Sequence, residues 1–305
     1  MLADDSTISQ HEAAEIRAEA ERLLRHAGAV GVLPTPVDEI MRAAKIQVVP
    51  IALDEGYLAQ IRRKAAQAGR ALLSALSKVW GIFDPKSRVA FIDPETPKEK
   101  LPFLKLHEGG HAVLPWQSIF GIFEDCRKTL DPEVKQQFER EANVFASEVL
   151  FQLDGFTREA ADHDFGMAVP LRLAKRYGAS VYSTIRRYVS HSGKTCAVIV
   201  LNPAEMAEGV GFTCAVRRVI TSPAFARRFV QLRWPQIVTA DDALGRLVPV
   251  NRMTGPRTLR LVDANGDPQE FIAEAFKTPH QVFILLNAAA KPTRRLIVPA
   301  GRLAS

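Results

Sequence analysis

The spacing of apolar residues predicts that the first half of the chain is largely helical. Between Ser9 and His26, apolar side chains such as Ile16 and Ala20 return at intervals of three and four residues, with charged residues between them. Further helices are expected by the same rule at residues 37–44, 103–114 and 131–151, with a helical pair within 170–190. Two short β-rich runs closed by proline, 46–49 and 89–92, predict strands. The alanine-rich segment 59–80 is ambiguous, because Gly69 and the Tyr57-Leu58 pair favour irregular structure.

The pattern changes after Thr195, where apolar and β-branched runs predict strands instead of helices. These strands are expected at residues 196–201, 211–219, 258–262, 270–276 and 281–286. Asp263–Asp267, between two of them, is typical of a hairpin turn. The whole pattern predicts an α+β chain of three parts. Residues 1–155 would form a mainly helical domain with a small sheet, 156–192 a helix-turn-helix-like region, and 193–305 a strand-rich α/β domain.

Charge is distributed unevenly along the 305 residues, which carry a net charge of +6. Residues 1–170 hold 20 Lys and Arg against 26 Asp and Glu, which gives −6. Residues 171–305 hold 20 against 8, which gives +12, and the two values sum to the total. The halves are therefore expected to have different partners. The basic half would contact DNA or an acidic protein surface, unless its arginines simply form a solvated face.

Several functional classes are disfavoured by composition. No apolar run approaches the ~20 residues that a membrane-spanning helix needs, so we expect no membrane partner. The acidic N-terminal residues 1–5 are unlike a secretory signal. The cysteines, Cys126, Cys196 and Cys214, form neither a disulfide framework nor a metal-binding pair. These features favour the reducing cytoplasm, with Cys196 and Cys214 buried on neighbouring strands.

The strongest chemical signal is the run His107-Glu108-Gly109-Gly110-His111. Residues four apart share a helix face, so both imidazoles can bind one zinc ion with Glu108 beside it. Zinc accepts such nitrogen ligands, and a catalytic site leaves one position for water. Glu108 would take a proton from that water as it attacks a polarised carbonyl. The alternative is two solvated histidines on a surface helix, which would have to tolerate an apolar sequence context.

A third protein ligand is expected from the next predicted helix. Glu139 and Glu141 lie on opposite edges of its apolar stripe, because successive residues are about 100° apart around a helix. Periodicity alone does not choose between them. One of the two would be a ligand and the other an ordinary solvated carboxylate.

Around these residues the chain resembles the ImmA/IrrE family of zinc metallopeptidases. The family has a strand ending in an Asn-Pro or Asp-Pro step, then HExxH, then a helix reading acid-x-x-Ala-Asn-x-Phe-Ala. The corresponding segments here are Ile92-Asp93-Pro94, His107–His111 and Glu139–Ala146, and Gly81–Pro85 also fits. The resemblance covers residues 10–190. It implies a zincin-like metallopeptidase domain and a cytoplasmic zinc endopeptidase whose protein substrate is a DNA-binding repressor in a stress response.

The resemblance also implies roles for individual residues. His107, His111 and Glu139 would be the zinc ligands and Glu108 the general base. Asn143 would support the site one turn beyond Glu139, and Glu141 is kept as an alternative ligand. An extended substrate would pair with Val89–Ile92 as an edge strand. Three residues are candidates for stabilising the oxyanion, although each is more typical of a structural role: His163, Tyr177 and Tyr182.

Residues 171–188 look like a helix-turn-helix, in which Gly178 suits the tight turn and Ser180 caps the second helix. Arg186 and Arg187 are candidate nucleic-acid contacts on that second helix. Alternatively, the pair simply packs against the peptidase domain. A second functional hypothesis follows, in which the chain is a non-catalytic regulator that binds DNA or a repressor through this pair and the basic half. The strand-rich part would be a sensor module or a partner-binding platform.

Overall fold

A computed structural model describes residues 8–50, 81–84, 87–117, 132–209 and 211–288. The chain divides into two compact units, Met1–Tyr188 and Val189–Ser305. The ambiguous segment 59–80, Cys126 and the expected helix start at Asp131 lie outside the described residues. The finer three-part division expected from the sequence stays a prediction. None of the described helices is long and apolar enough to cross a membrane.

The first unit is mainly helical, as the apolar spacing predicts. Its helices are α1 (Gln10–His26), α2 (Val37–Ala43), α3 (Leu101–Val113), α4 (Pro132–Leu150), α5 (Gly155–Ala161), α6 (Ala168–Tyr177) and α7 (Val181–Ser190), the last of which crosses the unit boundary. Helix α1 shows why the pattern succeeds. Ser9 and Glu12 cap its first turn reciprocally, and Ile16 and Ala20 are fully buried on its apolar face.

A three-stranded sheet accompanies these helices. Its strands are β1 (Gln47–Pro50), β2 (Gly81–Asp84) and β3 (Val89–Ile92), in the order β1-β3-β2. Strand β3 pairs in parallel with β1 and antiparallel with β2. The expectation that Val89–Ile92 is an edge strand is therefore wrong, because both of its edges are already hydrogen-bonded. Among the described strands, the edges of this sheet are β1 and β2, each of which pairs with β3 alone.

Helices α3 and α4 pack closely at Gly110. A Cβ atom at this position would lie 3.1 Å from the Ala142 Cα atom and 3.3 Å from a ring carbon of Phe145. Ala142 and Phe145 are fully buried, so the facing helix has little room to move. The second glycine of the motif, Gly109, faces a sulfur atom of the flexible Met41 side chain instead. A glycine is thus required more strictly at position 110 than at position 109.

We expect Gly110→Ala to destabilise the protein by about 1–3 kcal/mol, because the added methyl group overpacks a rigid helix contact. Gly109→Ala is the matched control. It gains about 1 kcal/mol of helix propensity, and the Met41 side chain can move away. Urea unfolding of the two metal-free variants measures the difference. Equal stability of both variants would contradict the proposed close contact at Gly110.

The two helices α6 and α7 occupy the segment that resembles a helix-turn-helix. Gly178 ends α6 in the left-handed region, at φ 68°, which a residue without a Cβ adopts at little cost. The hydroxyl of Ser180 accepts a hydrogen bond from the Ser183 N–H at 3.2 Å. The predicted tight turn and N-cap are thus confirmed. The buried residues of α6 include Leu173 and Ala174, which form its apolar side.

The second unit is built around a seven-stranded sheet. Its strands are β4 (Cys196–Leu201), β5 (Glu205–Ala207), β6 (Gly211–Thr221), β7 (Ile237–Thr239), β8 (Met253–Val262), β9 (Pro268–Lys277) and β10 (Val282–Ala288). The order is β5-β6-β4-β10-β9-β8, and β7 pairs with β6. A short helix, α8 (Pro223–Arg228), and a 3-10 turn, Gly245–Leu247, lie between strands. All the pairings in this sheet are antiparallel, and the five predicted strands are confirmed.

Alternate residues of these strands form the core of the second unit. Ala197, Ile199 and Leu201 of β4 lie in one apolar cluster with Phe271 of β9 and Ile284 of β10. Cys196 and Cys214 are both buried and free, and their strands are neighbours. Burial raises the pKa of both thiols, so they are packing residues and not reactive thiolates.

Candidate metal centre

Helices α3 and α4 bring three potential ligands to one point. His107 and His111 lie one turn apart on α3, and Glu139 lies on the facing side of α4. Ligand atoms of the three residues all fall within 4.8 Å of one another. The two histidine side chains are largely buried, with 13% and 22% of their surfaces exposed, whereas Glu139 is half exposed. The group is thus buried on the α3 side and more open at Glu139.

The spacing of the donor atoms fits a small cation. The two Nε2 atoms are 3.3 Å apart, and the His107 Nε2 atom is 3.2 Å from a carboxylate oxygen of Glu139. The His111 Nε2 atom lies 3.9 Å from the other oxygen of Glu139. A tetrahedral zinc ion with bonds of about 2.0–2.1 Å holds its ligand atoms about 3.3 Å apart. Two imidazoles and one carboxylate are also a donor set that zinc prefers.

Both imidazoles are oriented by an amide oxygen at the opposite nitrogen. The His107 Nδ1 atom is 3.1 Å from Oδ1 of Asn143, and the His111 Nδ1 atom is 2.7 Å from Oε1 of Gln117. An amide oxygen can only accept, so each Nδ1 atom donates a proton and its neutral ring presents a lone pair at Nε2. Two lone pairs cannot face each other at 3.3 Å without a proton or a metal ion between them.

The surroundings of His107 favour such a proton, because its pKa is raised above the ordinary value. Burial lowers the pKa of His107, but the hydrogen bond to Glu139 and the charge of Glu108 outweigh burial, and the pKa is raised overall. Zinc and this proton compete for the same lone pairs. The residues present therefore fit the zinc ion that the HExxH motif predicts.

Glu108 lies next to the ligand group but is not part of it. Its side chain is 5% exposed and accepts a hydrogen bond from the backbone N–H of Phe83 in β2. Burial raises the pKa of Glu108 to about 7, against the opposing effect of His107 and with a further increase from Glu139. A carboxylate with such a pKa accepts and returns a proton near neutrality. This position and this pKa are those that a general base requires.

Glu141, the alternative ligand, is turned away from the histidines. Its carboxylate accepts hydrogen bonds from Trp116 at 2.7 Å, Gln117 at 2.6 Å and Gln137 at 3.1 Å. The side chain is 5% exposed, so the expectation that the non-ligand acid is solvated is wrong. Gln117 and Trp116 lie beyond the end of α3, outside any periodic pattern, so no sequence signal indicates them. Asn143 is where the resemblance puts it, in contact with His107.

Arg187 does not face solvent, which contradicts its candidate role in nucleic-acid contact. It is 2% exposed, and its guanidinium bonds to Glu148 at 2.5 Å and to the Leu153 carbonyl at 2.7 Å. A buried, paired guanidinium is not available to a phosphate. Arg186, the neighbouring candidate, is half buried and has interactions of its own.

Tyr177, one candidate for oxyanion stabilisation, is occupied elsewhere. Its hydroxyl donates to Glu159 at 3.0 Å, and its ring packs against Phe151 and Phe156. Burial raises the pKa of Tyr177 further above its ordinary value. Of the other two candidates, His163 is exposed beyond the end of α5, and Tyr182 is half buried on α7. The sequence prediction of an oxyanion group is not supported for Tyr177.

Comparison with known proteins gives two similarities. Residues 75–188 match the Peptidase_M78 family, described as the IrrE N-terminal-like domain. The fold is similar to that of a solved Mycobacterium tuberculosis transcriptional regulator, with a TM-score of 0.52 and 14% sequence identity, over 90% of this chain and 76% of that chain. No curated protein matches the chain. The predicted family resemblance and α+β class are both confirmed, and at this identity the structural likeness concerns the fold alone.

Proposed function

Because residues 75–188 match the IrrE N-terminal-like domain of the Peptidase_M78 family, we propose that the chain is a zinc-dependent endopeptidase that cleaves a regulatory protein. One observation supports this most strongly: the ligand atoms of His107, His111 and Glu139 converge within 4.8 Å, with Glu108 buried beside them. These three residues would hold the metal. When bound, zinc supplies the Lewis acidity that activates water and polarises a carbonyl group.

Glu108 would carry the proton transfers of this hydrolysis. Its carboxylate takes a proton from the attacking water and delivers it to the nitrogen of the leaving amine, so that its charge is restored at the end of the cycle. The Phe83 N–H steadies the charged form through a hydrogen bond. Burial raises the pKa of Glu108 in the metal-free chain, which makes the carboxylate a stronger proton acceptor.

An extended substrate segment would bind at β2 rather than at β3. Strand β2 has one strand neighbour among the described residues, and its Phe83 contacts the proposed general base directly. Backbone groups on the other side of β2 can pair with an added strand. A substrate strand at that edge would lie next to Glu108. This placement replaces the expectation that the substrate pairs with Val89–Ile92.

The proposed substrate is a DNA-binding repressor, which implies that the protein acts in the cytoplasm. The structural neighbour is named a transcriptional regulator, which supports a role in regulation without deciding between cleavage and binding. Burial of Arg187 weakens the alternative, a non-catalytic DNA-binding regulator that uses the α6–α7 pair.

Co-expression with a DNA-binding repressor from the same organism tests the proposal. We expect a defined fragment of the regulator when zinc is supplied and none when zinc is chelated. The fragment ends, read by mass spectrometry, would identify the cleaved bond. A regulator that stays intact under both conditions would contradict cleavage of this substrate.

A further inference from the structure

The amide of Gln117 lies between a proposed zinc ligand and a buried carboxylate. Its oxygen is 2.7 Å from Nδ1 of His111, and its nitrogen is 2.6 Å from a carboxylate oxygen of Glu141. The same nitrogen also donates to the Phe138 carbonyl at 3.1 Å. Gln117 is 4% exposed and Glu141 5%, so water does not compete for these bonds. The arrangement is a chain of hydrogen bonds from a negative charge to the ligand ring.

This chain of bonds leaves only one orientation for the amide. Both N–H groups of Gln117 are engaged by acceptors, Glu141 and the Phe138 carbonyl, so its oxygen must face His111. The Nδ1 atom of His111 must then carry the proton, and Nε2 keeps its lone pair toward Glu139. The tautomer that can bind a metal is therefore selected before any metal arrives.

Glu141 supplies the charge that holds the amide in place. Its two oxygens accept three side-chain N–H groups, from Trp116, Gln117 and Gln137, and within the described part of the chain no Lys or Arg forms an ion pair with it. A buried anion strongly polarises the neutral donors that bind it. The Nδ1–O distance at His111 is 2.7 Å, against 3.1 Å at His107, whose partner Asn143 has no such carboxylate behind it in the bonds described.

We propose that Gln117 and Glu141 are positioning residues that act together on His111, as a relay that passes the carboxylate charge through the amide to the ring. The relay fixes the tautomer of His111 and makes its Nε2 atom a better metal donor. This inference rests on the metal-binding part of the proposed function. It adds two residues that touch neither the metal nor the substrate.

A charge-swap experiment tests the relay by zinc affinity, measured in competition with a chelator. Glu141→Gln keeps the side-chain size, and its oxygen can still accept from Trp116 and Gln117, but it removes the negative charge that polarises the Gln117 amide. We expect zinc affinity to fall roughly 10–100-fold. The double variant Gln117→Glu plus Glu141→Gln places the carboxylate directly against Nδ1 of His111, which restores a negative charge behind the ring, and affinity is expected to return to within a few fold.

Gln137→Ala is the control, because it removes a donor to Glu141 without changing the Gln117 amide. We expect its zinc affinity to match that of the unaltered chain. Unchanged affinity in Glu141→Gln would overturn the relay. So would a double variant that stays as weak as the single one, because a merely structural role for Glu141 would not be rescued by moving the charge.

The tautomer of His111 provides a measurement that needs no variant. Nitrogen NMR of the metal-free protein at mildly alkaline pH is expected to show the proton on Nδ1 of His111, and a proton on Nε2 would overturn the relay. Failure of the unaltered chain to bind zinc at all would instead contradict the proposed function. The two failures are thus distinguished by different measurements.

Discussion

Glu108→Gln is expected to bind as much zinc as the unaltered chain and to cleave its substrate about 10²–10⁴-fold more slowly. The substitution keeps the size of the side chain and leaves His107, His111 and Glu139 unchanged. It removes the carboxylate that takes the proton from water, because an amide has no basic oxygen. Initial rates of fragment formation in the zinc-loaded protein, together with metal content, measure both halves of this prediction.

Glu99→Gln is the matched control for this change. Glu99 is exposed just before α3, so the same chemical replacement there is expected to leave the cleavage rate as it was. A Glu108→Gln protein with full activity would contradict the proposed general base. A variant that loses zinc as well would show instead that Glu108 supports the metal centre structurally.

The second large effect is expected for Arg187→Ala, which should destabilise the protein by about 3–5 kcal/mol. Arg187 forms an ion pair with Glu148, which lies in the last turn of α4. Both side chains are almost completely buried. Removing the guanidinium leaves the Glu148 carboxylate buried with its main partner gone, since Arg17 contributes only a longer contact of 3.6 Å. Urea unfolding of the metal-free protein measures the loss.

Two comparisons show whether this loss comes from the ion pair. Arg186→Ala, at the neighbouring half-buried position, is expected to cost no more than about 1 kcal/mol. Replacing Arg187 and Glu148 together by methionine is expected to recover most of the stability, because a buried pair can be exchanged for apolar groups of similar volume. A stable Arg187→Ala protein that has lost DNA binding would contradict the structural role and revive the nucleic-acid hypothesis.

Much of the fold could be predicted because its elements are strongly patterned. The spacing of Ser9 and Glu12 is that of a capping box, which predicts the start of α1. Strand β4 is a continuous apolar run, and the structure buries it on both faces. Strand β8 begins at Met253, five residues before its predicted start, because a shift of register between Thr254 and Arg257 breaks the expected pattern. Local sequence thus predicts regular helices and strands, but it does not predict irregularities such as this shift of register.

The ligand group could be predicted in part. His107 and His111 follow from spacing on one helix, whereas the choice between Glu139 and Glu141 depends on how α4 is turned against α3. Both acids border the same apolar stripe, so only the packing of the helices, or a family resemblance, separates them. Gln117 could not be predicted, since its role depends on where the chain turns after α3.

Charged residues that tertiary contacts bury are not predictable from local sequence. A charge in a sequence indicates exposure unless its partner is known, so the sequence predicts that Arg187 contacts nucleic acid and that Glu141 is either a ligand or a solvated carboxylate. The partners, Glu148 and Gln117, are supplied by other elements of the fold. Likewise, the strand order β1-β3-β2 depends on tertiary contacts. It places Val89–Ile92 in the middle of the sheet and not at its edge.

Metal content of the purified chain tests the central claim most directly. We predict one zinc ion per chain, lost in His107→Ala and kept in His26→Ala, a control that removes an exposed histidine at the end of α1. Elemental analysis after gel filtration, with protein concentration measured independently, gives the ratio. An unaltered chain that takes up no zinc, or a His107→Ala protein that takes up as much as the unaltered chain, would contradict a metal centre at His107, His111 and Glu139.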